Sequence, residues 1–199
     1  MADLEKTRKN LEGRGFRVHR FASGAEAAEF LVQTLHGTSI GIGGSVTIDT
    51  LGVYDRLCGS NEVLWHWKNH APETRERAGK AETYLCSANG VSENGEIVNI
   101  DGFGNRVAGT IYGPERVFLV VGRNKIAPDL TGAIDRTRNI AAPLNARRLN
   151  RHTPCAVGEP RCHDCRSPEK ICGVMTVFFM PPTSIKEFHV ILVDEDLGY

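Results

Sequence analysis

Apolar positions in this chain fall into short alternating or continuous runs separated by amphipathic stretches, and the two kinds of segment take turns from one end to the other. After a short helical start, Phe16-Arg-Val-His-Arg-Phe21 alternates with the period of a strand. Ser23 stands where a helix cap is expected, with Glu26 at the capping-box position, and Ala25–Leu35 reads as the helix that follows. Ser39-Ile-Gly-Ile-Gly43 is a short apolar strand ending in glycines, and Thr47–Leu57 then spaces Ile48, Leu51, Val53, Tyr54 and Leu57 as a helix would. Glu62–Trp65 predicts a strand, Pro72–Ala81 a polar helix, Tyr84–Ala88 another strand, and Asn94-Gly95 a tight hairpin turn.

Arg116-Val-Phe-Leu-Val-Val121 is the most continuously apolar run, the composition of a strand buried on both faces at the centre of a parallel sheet. A helix is expected from about Pro128 to Ala142, ended or bent by Pro143. Gly173–Met180 and Phe188–Val193 then return to the sheet as strands. Alternation of strand and helix predicts the α/β class: a mostly parallel sheet with helices on both faces. The 199 residues, 41% hydrophobic, suffice for one substantial core, so a single domain is the simplest count, interrupted only by a cysteine-rich loop at about 152–173.

The 24 basic and 24 acidic side chains cancel, which removes any general attraction to nucleic acid or to an anionic membrane. No apolar run approaches roughly 18 residues and the first residues do not form an apolar signal core, so the expectation is a soluble, cytoplasmic protein. Cys155, Cys162, Cys165 and Cys172, spaced Cys-x6-Cys-x2-Cys-x6-Cys, supply a complete set of four thiolates. The two-residue spacer of Cys162-His-Asp-Cys165 allows both sulfurs to face one centre, and the surrounding prolines and glycines favour a loop. One metal centre is expected here, and the spacing leaves zinc and an iron–sulfur cluster both open. A loop this long inside a compact fold ordinarily serves a function or carries its own cross-link. The competing account is reduced cysteines packed in a loop, or disulfides, which a reducing cytosol disfavours. Cys58 and Cys86 read as buried small hydrophobes, and His163 as a hydrogen-bonding or exposed side chain.

Gly41-Ile-Gly-Gly-Ser45 stands where a strand hands over to a helix, a place suited to an anion: glycines admit backbone N–H groups, Ser45 adds a hydroxyl, and the helix presents its positive end. It is neither a Walker loop nor a dinucleotide fingerprint, and glycines that merely satisfy a turn would look the same. Asn89, Asn99, Asp101, Asn105 and Arg106 form a second polar group, although turns alone account for most such residues. Gly122-Arg-Asn-Lys125 places two cations, Arg123 and Lys125, at the exit of the most apolar strand, where a carboxylate or phosphate is well held. Arg136, Arg138, Arg147, Arg148 and Arg151 form a basic run with no acid up to Cys155, a solvated helix face or a surface for an acidic partner.

Gly41-Ile-Gly-Gly-Ser-Val-Thr47, Ala88-Asn-Gly-Val, Gly95-Glu-Ile-Val-Asn-Ile-Asp-Gly-Phe-Gly-Asn-Arg106, Val120-Val-Gly-Arg-Asn-Lys125, the cysteine run and the closing Asp196-Leu-Gly-Tyr199 together resemble the lactate-utilization (LUD) domain family over nearly the whole chain. The resemblance implies a fold similar to ribose-5-phosphate isomerase, glucosamine-6-phosphate deaminase and the CoA transferases. It also implies a place near the oxidation of lactate or a related small hydroxy acid, beside partner subunits of an iron–sulfur lactate-oxidising system. The ferredoxin-type cysteine motifs of that system's larger iron–sulfur member are not in this chain.

The expectation is therefore a small carboxylate or phosphorylated ligand at a mouth formed by Gly43, Gly44, Ser45, Thr47, Asn89, Asn105, Arg123 and Lys125, with the cysteines holding the metal. The alternatives are a metal-stabilised, non-catalytic interaction subunit docking through its Arg136–Arg151 face and, by fold analogy alone, sugar-phosphate or acyl-CoA chemistry. No general base or carboxylate pair stands out.

Overall fold

A computed structural model describes residues 2–199. The elements in chain order are α1 (Leu4–Gly13), β1 (Arg17–Phe21), α2 (Gly24–Thr34), β2 (Ser39–Ile42), α3 (Val46–Thr50), α4 (Tyr54–Cys58), β3 (Glu62–Trp65), α5 (Thr74–Gly79), β4 (Thr83–Ser87), β5 (Gly90–Ser92) and β6 (Ile97–Asp101). The chain continues with α6 (Asn105–Ile111), β7 (Arg116–Gly122), a 3₁₀ turn (Arg123–Lys125), β8 (Ile126–Ala127), α7 (Leu130–Arg136), a π-helical segment (Thr137–Ala141), α8 (Ala142–Arg148), α9 (Pro154–Val157), β9 (Val174–Phe178) and β10 (Glu187–Val193). Six strands form a parallel sheet in the order β1-β10-β7-β4-β2-β3, and β7 lies inside it, as its unbroken apolar run predicts.

The period of two in β7 divides the core. Val117, Leu119 and Val121 face one way with Phe188, Val190 and Leu192 of β10, and meet Leu4 and Leu11 of α1. Phe118 and Val120 face the other way with Ile191 and Val193, and meet Ala27, Ala28 and Leu31 of α2, Ile48 of α3 and Leu57 of α4. Each such side chain, fully buried, contributes roughly 1.5–3 kcal/mol before the entropic cost of ordering it. Helices thus flank both faces of the sheet.

A smaller sheet, in the order β8-β5-β6-β9, packs on the α1 side. Its β5–β6 hairpin turns at Gly95, and β6 pairs antiparallel with β9, so only one of the two late strands expected in the main sheet joins it. The outer face of this sheet, with Val98, Met175 and Val177, is covered by Ala133 and Ile134 of α7.

Three local readings change in the folded chain. The helix expected over Thr47–Leu57 is two short helices, because Gly52 between them takes a φ of +62°, which side-chain-bearing residues rarely adopt. Pro143 does not end its helix: it sits in the first turn of α8, and the wider π turn before it absorbs the missing N–H so that the helix runs on to Arg148. Cys58 is exposed at the end of α4, whereas Cys86 is buried as expected. The Ser23 cap is present: its hydroxyl accepts from the Glu26 N–H at 3.2 Å, and the Glu26 carboxylate reaches back to the Ala22 N–H at 2.9 Å. Among the described residues no helix is long and apolar enough to cross a membrane.

Close approach of α5 to β2 depends on Gly41, where a Cβ atom would stand 1.9 Å from the Ala78 carbonyl oxygen. Gly41→Ala is therefore expected to cost on the order of 3 kcal/mol or more in urea unfolding. Gly79→Ala, where a Cβ meets nothing within 4 Å, should stay within about 0.5 kcal/mol of the parent. Equal unfolding midpoints for the two variants would refute the packing.

Candidate functional site

The carboxyl ends of β2, β4 and β7 open onto one cleft, the place where open α/β sheets accept ligands. β7 runs through its 3₁₀ turn directly into β8, which pairs with β5 of the smaller sheet. That crossing from one sheet to the other carries Lys125 into the interior, where it is only 3% exposed. Its ammonium donates to Thr47 Oγ1 at 2.7 Å and to Ser87 Oγ at 2.8 Å. Thr47 comes from the segment after β2 and Ser87 closes β4, so three strand ends meet on one nitrogen. Burial, then the nearby positive charges of Arg136 and Arg106, push the Lys125 pKa down from 10.5 to about 7.

Arg106, at the start of α6, braces the cleft from the smaller sheet. Its guanidinium donates to the Ser87 carbonyl at 3.0 Å, to Asn99 Oδ1 at 2.7 Å, to Asn89 Oδ1 at 2.6 Å and to the Ile100 carbonyl. Asp101 caps α6 by accepting from the Arg106 and Val107 N–H groups at 3.0 and 3.2 Å, which fixes where Arg106 begins. Arg136 donates to the Asn89 carbonyl. On the outer side Arg148 lies over the Trp67 ring, 4.6 Å from its centroid. Arg106, Lys125 and Arg148 line the cleft together with Ser45, Thr47, Ser87, Asn89 and Asn145, and among the described residues no aspartate or glutamate does.

Of the candidate residues, the cleft brings together Gly44, Ser45, Thr47, Asn89 and Lys125. The Ser45 hydroxyl is already engaged as the cap of α3, accepting from the Ile48 N–H at 3.3 Å, and α3 spans only Val46–Thr50. Gly43 sits behind the cleft, where a Cβ would meet the Tyr84 hydroxyl at 2.9 Å and Arg106 Cγ at 3.0 Å; the glycine makes room for the brace. Asn105 lines the adjoining wider groove, which also contains His66, His70, Arg75 and Arg151.

Arg123 lies outside both. It is exposed and pairs with Asp196 at 3.0 Å and Asp194 at 3.5 Å, tying down the C-terminal segment rather than facing a ligand. Ser87 was not a candidate, and its only signal is that a hydroxyl residue ends an otherwise apolar strand.

The arginines of the basic run divide between the cleft and the surface. Arg136 is buried at the cleft, Arg138 pairs with Asp164 at 3.1 Å, Arg147 donates to the Ala156 and Gly158 carbonyls, and Arg148 stacks on Trp67. Arg138, Arg147, Arg148 and Arg151 remain exposed beside these local contacts, and only Arg136 is withdrawn from the surface.

All six cysteines are free thiols. Cys155, Cys162, Cys165 and Cys172 line one cavity of about 290 Å³ behind the cleft. Burial, together with the neighbouring sulfurs of Cys162, Cys165 and Cys155, raises the Cys172 thiol above its ordinary pKa. Among the described residues, no three His, Cys, Asp or Glu side chains have the geometry to hold a single metal ion, so the expected metal is not shown by these groups. His163 is exposed, with Nε2 3.3 Å from the Glu159 carbonyl.

The family model of the LUD domain matches residues 4–193. No curated protein is similar enough to the chain to match it. The fold is similar to the crystal structure of a DUF162 family protein from Deinococcus radiodurans, with a TM-score of 0.56 and 14% identity, covering 96% of this chain and 95% of that one.

Lys125 has a stability consequence. The unfolded chain holds the Lys125 proton up to about pH 10.5 and the folded chain only to about 7, so stability from this group is complete above the first value, falls as pH is lowered between them, and stays low below the second. Lys125→Met is expected to raise the melting temperature at pH 6, by a few kcal/mol of stability, with a smaller gain at pH 9. A melting temperature unchanged or lowered at both pH values would contradict the buried, desolvated amine.

Proposed function

This chain belongs to the LUD domain family, which supports a role related to lactate utilization, and on that footing we propose that it binds a small carboxylate, lactate or a related 2-hydroxy acid, in the cleft around Lys125. What carries the reading is a charge imbalance: three cationic side chains line a cleft with no aspartate or glutamate among its lining residues, and one of them is a nearly buried amine whose protein partners are two hydroxyls. Burying positive charge without a counter-ion is unfavourable, and an anionic ligand removes the penalty.

Thr47, Ser87 and Asn89 supply neutral hydrogen-bonding groups at the same place, which suits a ligand bearing a hydroxyl beside its carboxylate. Arg148, stacked on Trp67, stands at the boundary with the wider groove and orients whatever extends outward. In this reading the chain holds the acid while partner subunits of a lactate-oxidising system accept the electrons. A phosphorylated ligand is the second anion that such a cleft would take; in the groove beyond it His66, His70, Arg75 and Arg151 share the wall with Asp101 and Glu169, so the cleft itself carries that reading.

A bound carboxylate favours the charged form of Lys125 and raises its pKa, so binding takes up a proton above pH 7. Titration calorimetry with L-lactate should give an affinity that is level below about pH 7 and falls towards tenfold per pH unit above it. Lys125→Met should bind on the order of 10- to 100-fold more weakly and lose the pH dependence. Wild-type affinity that is flat from pH 6 to 9, or binding of a sugar phosphate but of no hydroxy acid, would defeat the reading.

A further inference from the structure

The cysteine loop contains only one turn of helix and is anchored by hydrogen bonds to its surroundings. Asn139 Oδ1 accepts from the Cys162 N–H at 2.9 Å, Lys170 donates to the Cys165 carbonyl at 3.2 Å, and Glu169 accepts from the His152 N–H at 2.8 Å. Ile171 lies so close to Gly102 that a Cβ there would stand 2.7 Å from the Ile171 backbone. These contacts hold four thiols, drawn from eighteen residues of loop, around the wall of one cavity, beside the apolar Ile134, Pro143, Ala146 and Met175 and the polar Arg138, Asp164 and Lys170.

Two features decide what such a wall fits. A single zinc ion draws four sulfurs to within about 3.8 Å of one another, given Zn–S bonds of about 2.3 Å. The cysteines here instead stand around a volume of about 290 Å³, without three of them gathered for one ion among the described residues. Second, the Cys162 sulfur accepts from two donors, the Asp164 N–H at 3.4 Å and Arg138 Nη2 at 3.4 Å. Amide and guanidinium hydrogen bonds to sulfur are a means by which proteins stabilise cluster-bound thiolates.

We infer that Cys155, Cys162, Cys165 and Cys172 hold a cuboidal iron–sulfur cluster, one cysteine on each iron, with Arg138 and the Asp164 amide bonding the Cys162 sulfur. The cluster cavity and the anion cleft share Ile100, Ala142 and Ile171 as a common wall, so the cluster lies one layer of side chains from the ligand. The assignment does not depend on which anion the cleft binds.

The test is iron, zinc and acid-labile sulfide content of the full chain purified without oxygen, then incubated with ferric iron, sulfide and excess dithiothreitol, which reduces half of the iron as the cluster assembles. About four irons and four sulfides per chain, with a broad absorbance near roughly 400 nm, are expected. Cys162→Ser combined with Cys165→Ser should remove iron and sulfide, while Cys58→Ser retains both. One zinc per chain, iron without sulfide, or no metal after incubation would overturn the inference, and so would iron and sulfide retained at full content in the double variant. Wild-type content decides even if the double variant fails to fold, which circular dichroism would reveal.

Discussion

A single buried amine organises the cleft. Lys125 cannot be held inside the protein unless its nitrogen finds partners there, and Thr47 and Ser87 are those partners only because β2, β4 and β7 end at the same level of the sheet. The amine reaches that point because the chain does not turn back after β7 but crosses to the smaller sheet as β8. The C-terminal segment then closes over the crossing, with Asn124 accepting from the Leu197 N–H at 3.1 Å and donating to the Gly198 carbonyl at 3.1 Å. Displacing any of these elements would leave a desolvated charge with fewer bonds, so the site and the register of the two sheets support one another.

Arg106 extends the same logic to the other wall. Its bonds are to neutral oxygens of Ser87, Asn89, Asn99 and Ile100, so it joins β4 to β6 without cancelling its own charge. After burial and Arg136, that uncancelled charge adds to the depression of the Lys125 pKa and makes the cleft receptive to an anion. Positioning and electrostatics are here two effects of one guanidinium.

The helix from Leu130 to Arg148 links the cleft to the cysteine cavity. Ala141, Ala142, Asn145 and Arg148 line the first, and Ile134, Arg138, Ala142, Pro143 and Ala146 the second. The π segment before Pro143 shifts the phase of the helix at the point where its two lining faces meet.

Local order was legible wherever burial repeats with the period of the backbone. The apolar run of Arg116–Val121 identified a strand inside the sheet, Ser23 and Glu26 marked a helix start, and Asn94-Gly95 marked the β5–β6 hairpin, since each depends on residues adjacent in the chain. Lys125 was visible as a cation at a strand exit, and the four cysteines were visible from their spacing. Arg123, two residues from Lys125, looked equally suited to a ligand, yet the 3₁₀ turn sends one side chain inward and the other to Asp194 and Asp196. Ser87 and the brace made by Arg106 were hidden because their partners lie many residues away. The sequence by itself determined the α/β class, the family and the chemical stock of cations, hydroxyls and thiols, because composition and periodicity are local properties. Which of those groups meet, which cation is buried, and that Arg136 of the basic run turns inward were decided only by the packing of two sheets, because desolvation and charge proximity arise from contacts between distant parts of the chain.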